Sequence, residues 1–353
     1  MDPRIQAAPV VVTGATGFLG RALVSEFSRR ECPIVGVDSA STDAIVSGSA
    51  AHGVRATYLQ GDVAGAEVVD QLLQLGPIRG VVHAAGLTPE GGGRGHTGGE
   101  VTRVAVMGTL NMLRVVKEQG GGRLLYVSSA AVDPLVSLHE DDERSFGDDP
   151  TPYATSKLAC ELMALELARL WHIDCRVIRP AGLYGEDEMS SESRPRISPL
   201  SVAIRAAAQG AKPVVRQGDR GAQDWLYVAD AANAIATLFF EPRLSTAIFP
   251  LGSGTAVSWG EVVAQISLLR SEPFSEEVLV ESNGMAHQAA NIQALQEETG
   301  WRQKTSLGAG LAQCYAAALN SPPEDDPLHP SWNRHLGPSP AMAAESPGES
   351  VGI

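Results

Sequence analysis

The first 180 residues alternate short apolar runs with longer segments in which apolar positions recur at helical spacing. The apolar runs, each long enough for one buried strand, lie at 9–13, 33–37, 56–60, 80–84, 123–128 and 175–179. The helical segments between them lie near 18–30, 64–75, 100–119 and 153–171. Strands that alternate with helices form parallel sheets covered by helices on both faces. The pattern therefore predicts an α/β fold with a doubly wound parallel sheet of the Rossmann type.

After Pro180 the alternation becomes less regular. Helical periodicity continues near 198–209, 229–241, 258–270 and 306–319, with short strands between these segments. From about Ser321 the chain is rich in Pro, Ser, Ala and Glu and lacks apolar periodicity, which is typical of disorder. We predict three spans: a dinucleotide-binding domain at 1–180, a smaller C-terminal α/β substrate lobe at 181–320, and a disordered tail at 321–353.

Composition and charge argue against several partners. The 353 residues carry a formal net charge of −14, which disfavours binding to nucleic acid or to an anionic membrane. No apolar run approaches the roughly 20 residues needed to cross a bilayer, and the first residues lack the pattern of a signal peptide. The four cysteines, at positions 32, 160, 175 and 314, match no zinc or redox spacing. We expect reduced thiols, no bound metal and a cytoplasmic location.

A glycine-rich turn follows the first apolar run and opens the first helical segment. Gly14, Gly17 and Gly20 are spaced G-x-x-G-x-x-G, not the G-x-G-x-x-G of the standard dinucleotide fingerprint. Glycines permit a tight turn and close backbone approach, and a helix N-terminus stabilises a phosphate. Such turns also occur without ligands, but the strand before and the helix after favour a cofactor pyrophosphate. The predicted contacts in this turn also include Thr16, Phe18 and Leu19.

Two acidic residues follow the next two strands. Asp38 ends the second apolar run, where a carboxylate accepts hydrogen bonds from adenosine ribose hydroxyls and repels a 2′-phosphate. No Arg or Lys stands at 39–42 to neutralise such a phosphate, so NAD is favoured over NADP. Asp62 and the adjacent Val63, after the third run, are weaker candidates for contact with the adenine. The alternative for Asp38 is a surface turn aspartate.

Tyr153 and Lys157 lie four residues apart in a predicted helix and therefore share one face. An ammonium group beside a phenol favours the phenolate, which can act as a general base toward a substrate hydroxyl. The pair alone is common by chance, and its alternative is an exposed helix pair. Ser128 and Ser129 end the fifth apolar run, at the sheet edge where doubly wound folds bind ligands. Either hydroxyl is a candidate partner for the reacting oxygen.

These motifs resemble the extended short-chain dehydrogenase/reductase family, also called the NAD-dependent epimerase/dehydratase family, over residues 10–319. The turn at 13–20 matches the family's T-G-x-x-G-F-x-G, and 83–86 resembles its fourth-strand motif beside the adenosine. Segments 179–185 and 224–230 resemble its R-P-x-x-x-Y-G and D-F-x-x-V-x-D segments. The resemblance implies bound NAD and a catalytic set of Ser129, Tyr153 and Lys157, of which Tyr153 and Lys157 also contact the cofactor. It adds cofactor contacts at Ala84, Ala85, Gly86, Pro180, Ala181 and Leu183.

Departures from the family pattern narrow the function that the resemblance implies. Ala130 and Ala131 stand where family dehydratases carry Asp-Glu, so the sequence argues against sugar 4,6-dehydration as the reaction. Gln223 stands where nucleotide-sugar enzymes of the family usually carry a diphosphate-pairing Arg, and Ala105 replaces a frequent Asn. Other candidates to pair with a diphosphate are Arg194, Arg196, Arg205, Arg216 and Arg220. Each of these arginines is alternatively a solvated surface residue.

The main hypothesis is an NAD-dependent dehydrogenase or ketoreductase that acts on a secondary alcohol or ketone and exchanges its cofactor. The alternative is an epimerase of a sugar or nucleotide sugar that retains NAD. A non-catalytic NAD-binding sensor is less favoured, because both Tyr153 and Lys157 are present. The family also implies a homodimer packed through the helices near 100–119 and 153–171. The irregular segments after Gly86, before Tyr153 and at 186–199 are expected to shape the pocket of a small-molecule substrate.

Overall fold

The apolar runs of the sequence become strands in the computed structural model. The structure describes residues 8–40, 56–88, 96–120, 122–136, 151–191, 193–195, 197–215, 221–274, 276–280 and 289–320. Its strands are β1 (Val10–Thr13), β2 (Ile34–Asp38), β3 (Thr57–Gln60), β4 (Gly80–His83), β5 (Arg123–Val127), β6 (Asp174–Pro180), β7 (Gly182–Tyr184), β8 (Ala211–Val215), β9 (Ala222–Tyr227), β10 (Ile248–Leu251), β11 (Ala256–Ser258) and β12 (Glu276–Val280).

Helices fill most of the segments between the strands. They are α1 (Phe18–Arg29), α2 (Ala66–Gln74), α3 (Gly98–Glu118), α4 (Asp133–Val136), α5 (Pro152–Trp171), α6 (Pro199–Ala208), α7 (Val228–Phe240), α8 (Trp259–Leu268), α9 (Gln293–Thr299) and α10 (Leu307–Leu319). A short 3₁₀ helix, Ala130–Val132, precedes α4. Local sequence sets several helix starts: Thr97 and Glu100 form a capping box at α3, and Thr151 caps α5.

Seven strands among the described residues form one parallel sheet in the order β10-β6-β5-β4-β1-β2-β3. The order reverses between β1 and β4, and the carboxyl ends of these two strands form the switch point where such sheets bind ligands. Both central strands are buried along their whole length. The prediction of a doubly wound parallel sheet of the Rossmann type is confirmed.

Apolar cores lie on both faces of this sheet. Helices α1 and α7 pack on one face, where Phe27, Leu23 and Phe239 are buried with Val10 and Val12. Helices α2, α3 and α5 contribute to the core on the other face, which includes side chains of β1, β2 and β5. The alternation of Val10, Val11 and Val12 between the two cores follows from the two-residue period of a strand. The sheet is therefore shielded on both sides.

Glu26 joins α1 to α7 across the first core. Its carboxylate accepts hydrogen bonds from Arg29 and Arg30 of its own helix and from Asn233 of α7 at 2.8 Å. Burial raises the pKa of Glu26, but the hydrogen bonds from Arg29, Arg30 and Asn233 outweigh it and lower the pKa to about 2. The ionised carboxylate is therefore part of the folded interface between the two helices.

The chain after Pro180 builds a second apolar core and also returns to the large sheet. Tyr184, Trp225, Trp259 and Leu311 belong to the second core, together with side chains of α6. A three-stranded sheet (β11-β9-β7) and a two-stranded sheet (β12-β8) occur among the described residues of this part. Strand β10 and helix α7, however, pack on the large sheet. The boundary at residue 180 stays a prediction.

The ten helices and strands that the sequence predicts most strongly agree with the structure to within a few residues. The placement of β10 in the large sheet and the helix α9 were not predicted. The predicted tail at 321–353 and most of the glycine-rich and acidic segments, at 91–95 and 138–143, lie outside the described residues. No helix in the described part of the chain has the length and apolar character needed to span a membrane.

Candidate active site

The glycine turn after β1 is packed too tightly to hold side chains at two of its positions. Gly14 has φ +69°, and a Cβ placed on it would lie 2.9 Å from the backbone of Ala85. A Cβ on Gly20 would lie 1.8 Å from the carbonyl oxygen of Gly14. The Gly17 N–H donates to that same carbonyl at 3.0 Å, and α1 begins directly afterwards. The turn, the start of α1 and the loop after β4 are therefore in close backbone contact.

This turn fits the pyrophosphate of a dinucleotide. Gly17 caps α1 without a side-chain hydrogen bond, and the first turn of α1 carries no acidic residue. The N–H groups of that turn and the helix dipole therefore favour an anion. Thr16 lies in the turn before α1, and Phe18 and Leu19 are the first two residues of the helix; their contact with the cofactor stays a prediction. The glycine cradle at the switch point is the feature that carries the fit to NAD.

Asp38 is fixed beside the glycine turn. Its carboxylate accepts from the Thr16 N–H at 3.0 Å and from the Ala40 N–H at 3.1 Å. Each carboxylate oxygen has a further lone pair, so Asp38 can still accept hydrogen bonds from ribose hydroxyls. A negative charge held at this place repels a 2′-phosphate. The geometry is consistent with the predicted preference for NAD, and the contact of Asp38 with the ribose stays a prediction.

Asp62 has a partner that the sequence did not predict. One carboxylate oxygen accepts from the Ala64 N–H at 2.9 Å, and the other pairs with Arg103 of α3 at 2.8 Å. Val63 is buried, and its carbonyl accepts from the Asn111 side chain at 2.9 Å. Both residues thus lie between the end of β3 and helix α3. Their contact with the adenine stays a prediction.

The ends of β1 and β4 are joined by a buried hydrogen-bond chain. The Ala85 N–H donates to Thr13 Oγ1 at 3.1 Å, and Thr13 Oγ1 lies 2.7 Å from Nδ1 of His83. Burial, with a smaller contribution from Lys157, lowers the pKa of His83 to about 3, so the ring is neutral. A neutral ring can pair with Thr13 Oγ1 through Nδ1 in either tautomer, as acceptor or as donor. This chain holds Ala84, Ala85 and Gly86 beside the glycine turn.

Lys157 reaches from α5 to the carboxyl ends of β4 and β5. Its Nζ donates to the carbonyl oxygen of Val127 at 2.7 Å, and the side chain is buried. The same Nζ lies 5.7 Å from the centre of the Tyr153 ring. A Cβ placed on Gly86 would be 3.6 Å from Nζ. The structure thus brings the predicted Tyr–Lys pair to the loop predicted to hold the cofactor.

Ser129 and Ser128 have different environments. Ser129 Oγ accepts from the Ala131 N–H at 3.1 Å and so caps the short 3₁₀ helix, which packs against α5. Among the residues that the structure describes, none accepts from the Ser129 hydroxyl. Ser128 is buried and its backbone N–H donates to the Ile178 carbonyl at 2.7 Å. The placement of Ser129 toward the element that carries Tyr153 is consistent with its predicted role, which stays a prediction.

An ion network that the sequence did not predict joins three elements of the site. Arg179 of β6 donates to both carboxylate oxygens of Glu161, at 2.9 Å and 2.6 Å, and to Asp133 at 2.9 Å. Glu161 lies on α5, one turn beyond Lys157, and is almost completely buried. Asp133 begins α4, directly after the 3₁₀ helix that Ser129 caps. The network therefore fixes the relative positions of the elements carrying the catalytic candidates.

The residues from Pro180 to Leu183 that are predicted to contact NAD lie where β6 ends. The Ala181 N–H donates to the Leu251 carbonyl of β10 at 2.7 Å, directly after Pro180. Leu183, in β7, packs against the core that α1 and α7 share. Strand β10, which the sequence did not place in this sheet, thereby supports the segment. Contact of Pro180, Ala181 and Leu183 with NAD stays a prediction.

Several polar residues of the C-terminal part hold the chain itself. Asp224 is fully buried and accepts from the Ser253 N–H and hydroxyl, both at 2.7 Å, and from the Gly254 and Ala290 N–H groups, both at 3.0 Å. Its lone pairs are therefore used within the protein. Gln223 is buried next to it. Of the arginines proposed to pair with a diphosphate, Arg196, Arg216 and Arg220 lie outside the described residues.

The fold and the site together define a dinucleotide-binding enzyme with a tyrosine–lysine pair at the cofactor edge. The family model of the NAD dependent epimerase/dehydratase family matches residues 10–249, which is more than half of the chain. The protein belongs to this family, which confirms the extended short-chain dehydrogenase/reductase resemblance and NAD as the cofactor.

Two curated relatives show the breadth of this match. A dTDP-glucose 4,6-dehydratase from Streptomyces antibioticus is 27% identical over 257 residues, covering 70% of this chain and 73% of the relative. The human UDP-glucose 4-epimerase is 25% identical over 327 residues, covering 85% of this chain and 93% of the relative.

Solved structures agree with the fold. MoeE5 in complex with UDP-glucuronic acid and NAD is 26% identical, with a TM-score of 0.69 over 89% of this chain and 100% of that chain. UDP-glucose 4-epimerase from Bifidobacterium longum in complex with NAD+ and UDP gives a TM-score of 0.72 at 20% identity, over 89% and 99% of the two chains. At that identity the second match supports the fold alone.

Proposed function

We propose that the protein is an NAD-retaining epimerase that acts on a nucleotide sugar. The two curated relatives carry names of nucleotide-sugar enzymes, and MoeE5 is described in complex with UDP-glucuronic acid and NAD. This supports the alternative hypothesis over the dehydrogenase or ketoreductase that the sequence favoured. The observation that carries the proposal is the convergence of Lys157, Tyr153 and the Gly86 loop at the cofactor edge. An epimerase and a dehydrogenase share this chemistry and differ in whether the cofactor leaves.

In the proposed mechanism NAD, when bound, supplies a hydride acceptor that can also act as donor. Tyr153, as phenolate, removes the proton from a secondary hydroxyl of the sugar, and the carbon is oxidised to a ketone. Ser129 donates a hydrogen bond to the reacting oxygen. After the ketone turns its other face, Tyr153 returns the proton to the oxygen as the carbon is reduced again. The carbon would lose and regain one hydride and the oxygen one proton, so the cycle has no net redox change.

Lys157 supports Tyr153 through its charge and its fixed position. Its ammonium group is buried and held by the Val127 carbonyl, so its positive charge is fixed at 5.7 Å from the centre of the Tyr153 ring. A position beside Gly86 also suits a hydrogen bond to the cofactor ribose. The role of Lys157 is therefore electrostatic support of Tyr153 and binding of the cofactor.

A 4,6-dehydratase function is not favoured. Ala130 and Ala131 form the 3₁₀ helix after Ser129 and supply neither an acid nor a base. The acid that follows them, Asp133, is paired with Arg179 at 2.9 Å. Water elimination needs a group that deprotonates carbon and a group that protonates the leaving hydroxyl. A redox cycle on one carbon needs neither.

We further propose that residues 181–320 hold the sugar nucleotide and that the protein works as a cytoplasmic homodimer. Helices α3 and α5 pack against each other and leave Met107, Leu162 and Leu170 exposed, at 40%, 65% and 54%. Exposed apolar side chains on one helix pair support an interface between two copies. Size-exclusion chromatography with light scattering tests the oligomeric state.

Cofactor retention is the first test of the proposed function. The purified protein is denatured without prior treatment, and the released NAD and NADH are quantified by chromatography. We expect about one cofactor per chain and interconversion of a UDP-sugar or dTDP-sugar without added NAD. Little bound cofactor, together with stoichiometric NADH formation from an alcohol, would replace the epimerase by the dehydrogenase hypothesis.

The catalytic assignment is tested with Tyr153→Phe. General acid–base catalysis contributes about 10²–10⁴-fold, so we expect at least a hundredfold lower kcat with unchanged NAD content. Tyr315→Phe, which also removes one phenol oxygen but lies in the second apolar core, serves as the control and should keep its activity. Full turnover by Tyr153→Phe would refute the role of Tyr153.

A further inference from the structure

A segment between β7 and α6 attaches to both sides of the cofactor turn. This covering segment consists of residues 187–191 and 193–194, with residue 192 outside the described part of the chain. On one side, Arg21 of α1 donates to the carbonyl oxygen of Asp187 and, at 2.6 Å, to the carbonyl oxygen of Thr16 in the glycine turn. One guanidinium therefore links the covering segment directly to the turn.

The other contacts of the covering segment lie around the same edge. The Thr88 N–H, in the loop after β4, donates to the Ser193 carbonyl at 3.0 Å. The Arg194 guanidinium lies 5.5 Å from the centre of the Phe18 ring, at the start of α1. The glycine turn and the β4 loop are both predicted to contact NAD. The covering segment joins these two sides of the cofactor site.

A buried carboxylate holds the covering segment in place. Glu188 is fully buried, and its carboxylate accepts from the N–H and the hydroxyl of Ser198, both at 2.7 Å, and from the Ser201 hydroxyl. Arg194 donates to the same carboxylate at 2.5 Å, and Arg205 donates to the Glu188 backbone carbonyl at 2.5 Å. Two arginines that the sequence offered as diphosphate partners therefore hold this segment.

The donor set explains why a carboxylate is needed at this position. The carboxylate of Glu188 receives four hydrogen bonds, two of them from the cap residue of α6. An ionised carboxylate is acceptor-only and can satisfy all four donors, whereas an amide offers one acceptor oxygen and two N–H groups. Replacing Glu188 by Gln removes the negative charge, and its single amide oxygen can still accept from Arg194 and the Ser198 N–H while the Ser198 and Ser201 hydroxyls rotate to accept from its NH2 group. The contact with Arg194 therefore loses its charge pair, whereas the contacts that anchor position 188 to the start of α6 are kept.

We propose that Glu188 is a positioning residue that pins the covering segment across the nucleotide turn and thereby sets how slowly NAD is released. This inference rests on the proposed cofactor-retaining function, since an epimerase needs a cofactor that stays bound through its cycle. Exchange of NAD requires the contacts of Asp187 and Ser193 to open. A covering segment fixed to the substrate-side helix α6 also couples that opening to the part of the chain proposed to hold the sugar.

The test measures cofactor release without any substrate. Protein loaded with NADH is mixed with a large excess of NAD, and the loss of NADH fluorescence gives the release rate. We expect release at least threefold faster in both Glu188→Gln and Arg194→Met, because each removes the charge pair between Glu188 and Arg194 and keeps the contacts with Ser198 and Ser201.

A matched control separates this role from a general loss of structure. Glu298 also accepts from four donor groups, the backbone N–H and hydroxyl groups of Ser245 and Thr246, which lie in the loop before β10. Glu298→Gln should release NADH at the unchanged rate. Circular dichroism and the thermal midpoint show whether each variant is folded. If Glu188→Gln does not fold, the NADH release rates of Arg194→Met and Ser201→Ala test the proposal in its place.

Wild-type release rates in the folded variants would overturn the proposal, as would equal acceleration in Glu298→Gln. The outcome is independent of the epimerase assignment. Fast release in Glu188→Gln, together with an inactive panel of nucleotide sugars, would keep the positioning role and remove the proposed substrate.

Discussion

The close approach of Gly20 to the glycine turn predicts that Gly20→Ala lowers the stability of the protein. The same substitution at Gly260 provides a control. A Cβ on Gly20 would lie 1.8 Å from the Gly14 carbonyl oxygen. The gap must open to the roughly 3.4 Å of ordinary contact, and the opposing atom belongs to the backbone, so no flexible side chain can yield. Gly20→Ala therefore has to push α1 away from the glycine turn that precedes it.

The expected magnitude combines two opposing effects. Alanine favours an interior helix position by about 1 kcal/mol over glycine, whereas overpacking of this kind costs about 1–3 kcal/mol, so a net loss of up to about 2 kcal/mol results. Gly260, in the first turn of α8, has its nearest neighbour for a Cβ at 3.9 Å. Gly260→Ala should therefore gain up to about 1 kcal/mol. The two identical substitutions are expected to change stability in opposite directions.

The assay is urea unfolding of both variants after removal of the cofactor, followed by titration of the same cofactor-depleted protein with NADH. Displacement of the Gly14 carbonyl disturbs the predicted pyrophosphate site, so Gly20→Ala should bind NADH at least tenfold more weakly, which corresponds to about 1.4 kcal/mol. Gly260→Ala should bind it unchanged. Unchanged stability and affinity in Gly20→Ala would refute the argument that this close approach shapes the cofactor site.

Three further predictions concern the ion networks and the exposed helix face. Arg179→Met leaves Glu161 buried without its charge partner and should cost about 3–5 kcal/mol in urea unfolding, much of it recovered by adding Glu161→Met. Glu26→Gln should lower the free energy of unfolding by roughly 1–3 kcal/mol at neutral pH. Because the pKa of Glu26 is depressed to about 2, its stabilisation is complete above its ordinary value near 4.5 and is lost as pH falls toward 2. Leu162→Glu should convert a dimer to monomers in light scattering, whereas Leu268→Glu, at a position 85% exposed on α8, should not.

Each of these predictions has an outcome that contradicts it. A double variant no more stable than Arg179→Met would show that the loss is not one of an unpaired buried charge. A constant stability difference for Glu26→Gln from pH 7 to pH 2 would contradict the pKa argument. An unchanged dimer in Leu162→Glu would place the interface elsewhere, or show that none forms on this helix pair.

Most of the large sheet could be predicted because its signals are local. Buried strands such as β1 show as short valine runs, and the periodic segments between them give the helices with bounds that differ by one or two residues. The Tyr153–Lys157 pair follows from helical spacing alone. Strand β10 escaped prediction, because a four-residue run far along the chain shows nothing of which sheet edge it joins.

By itself, the sequence determined the alternating fold, the glycine turn, the acidic residue that favours NAD and the family. These depend on contacts between residues close in the chain or on motifs that hold their own geometry. Only the tertiary structure decided that Thr13, His83 and Ala85 form one buried chain, that Arg179 joins Glu161 to Asp133, and that a covering segment anchored by Glu188 spans the cofactor turn. Those contacts join residues distant in sequence, and a partner for a buried charge is set by which surfaces the folded layers bring together.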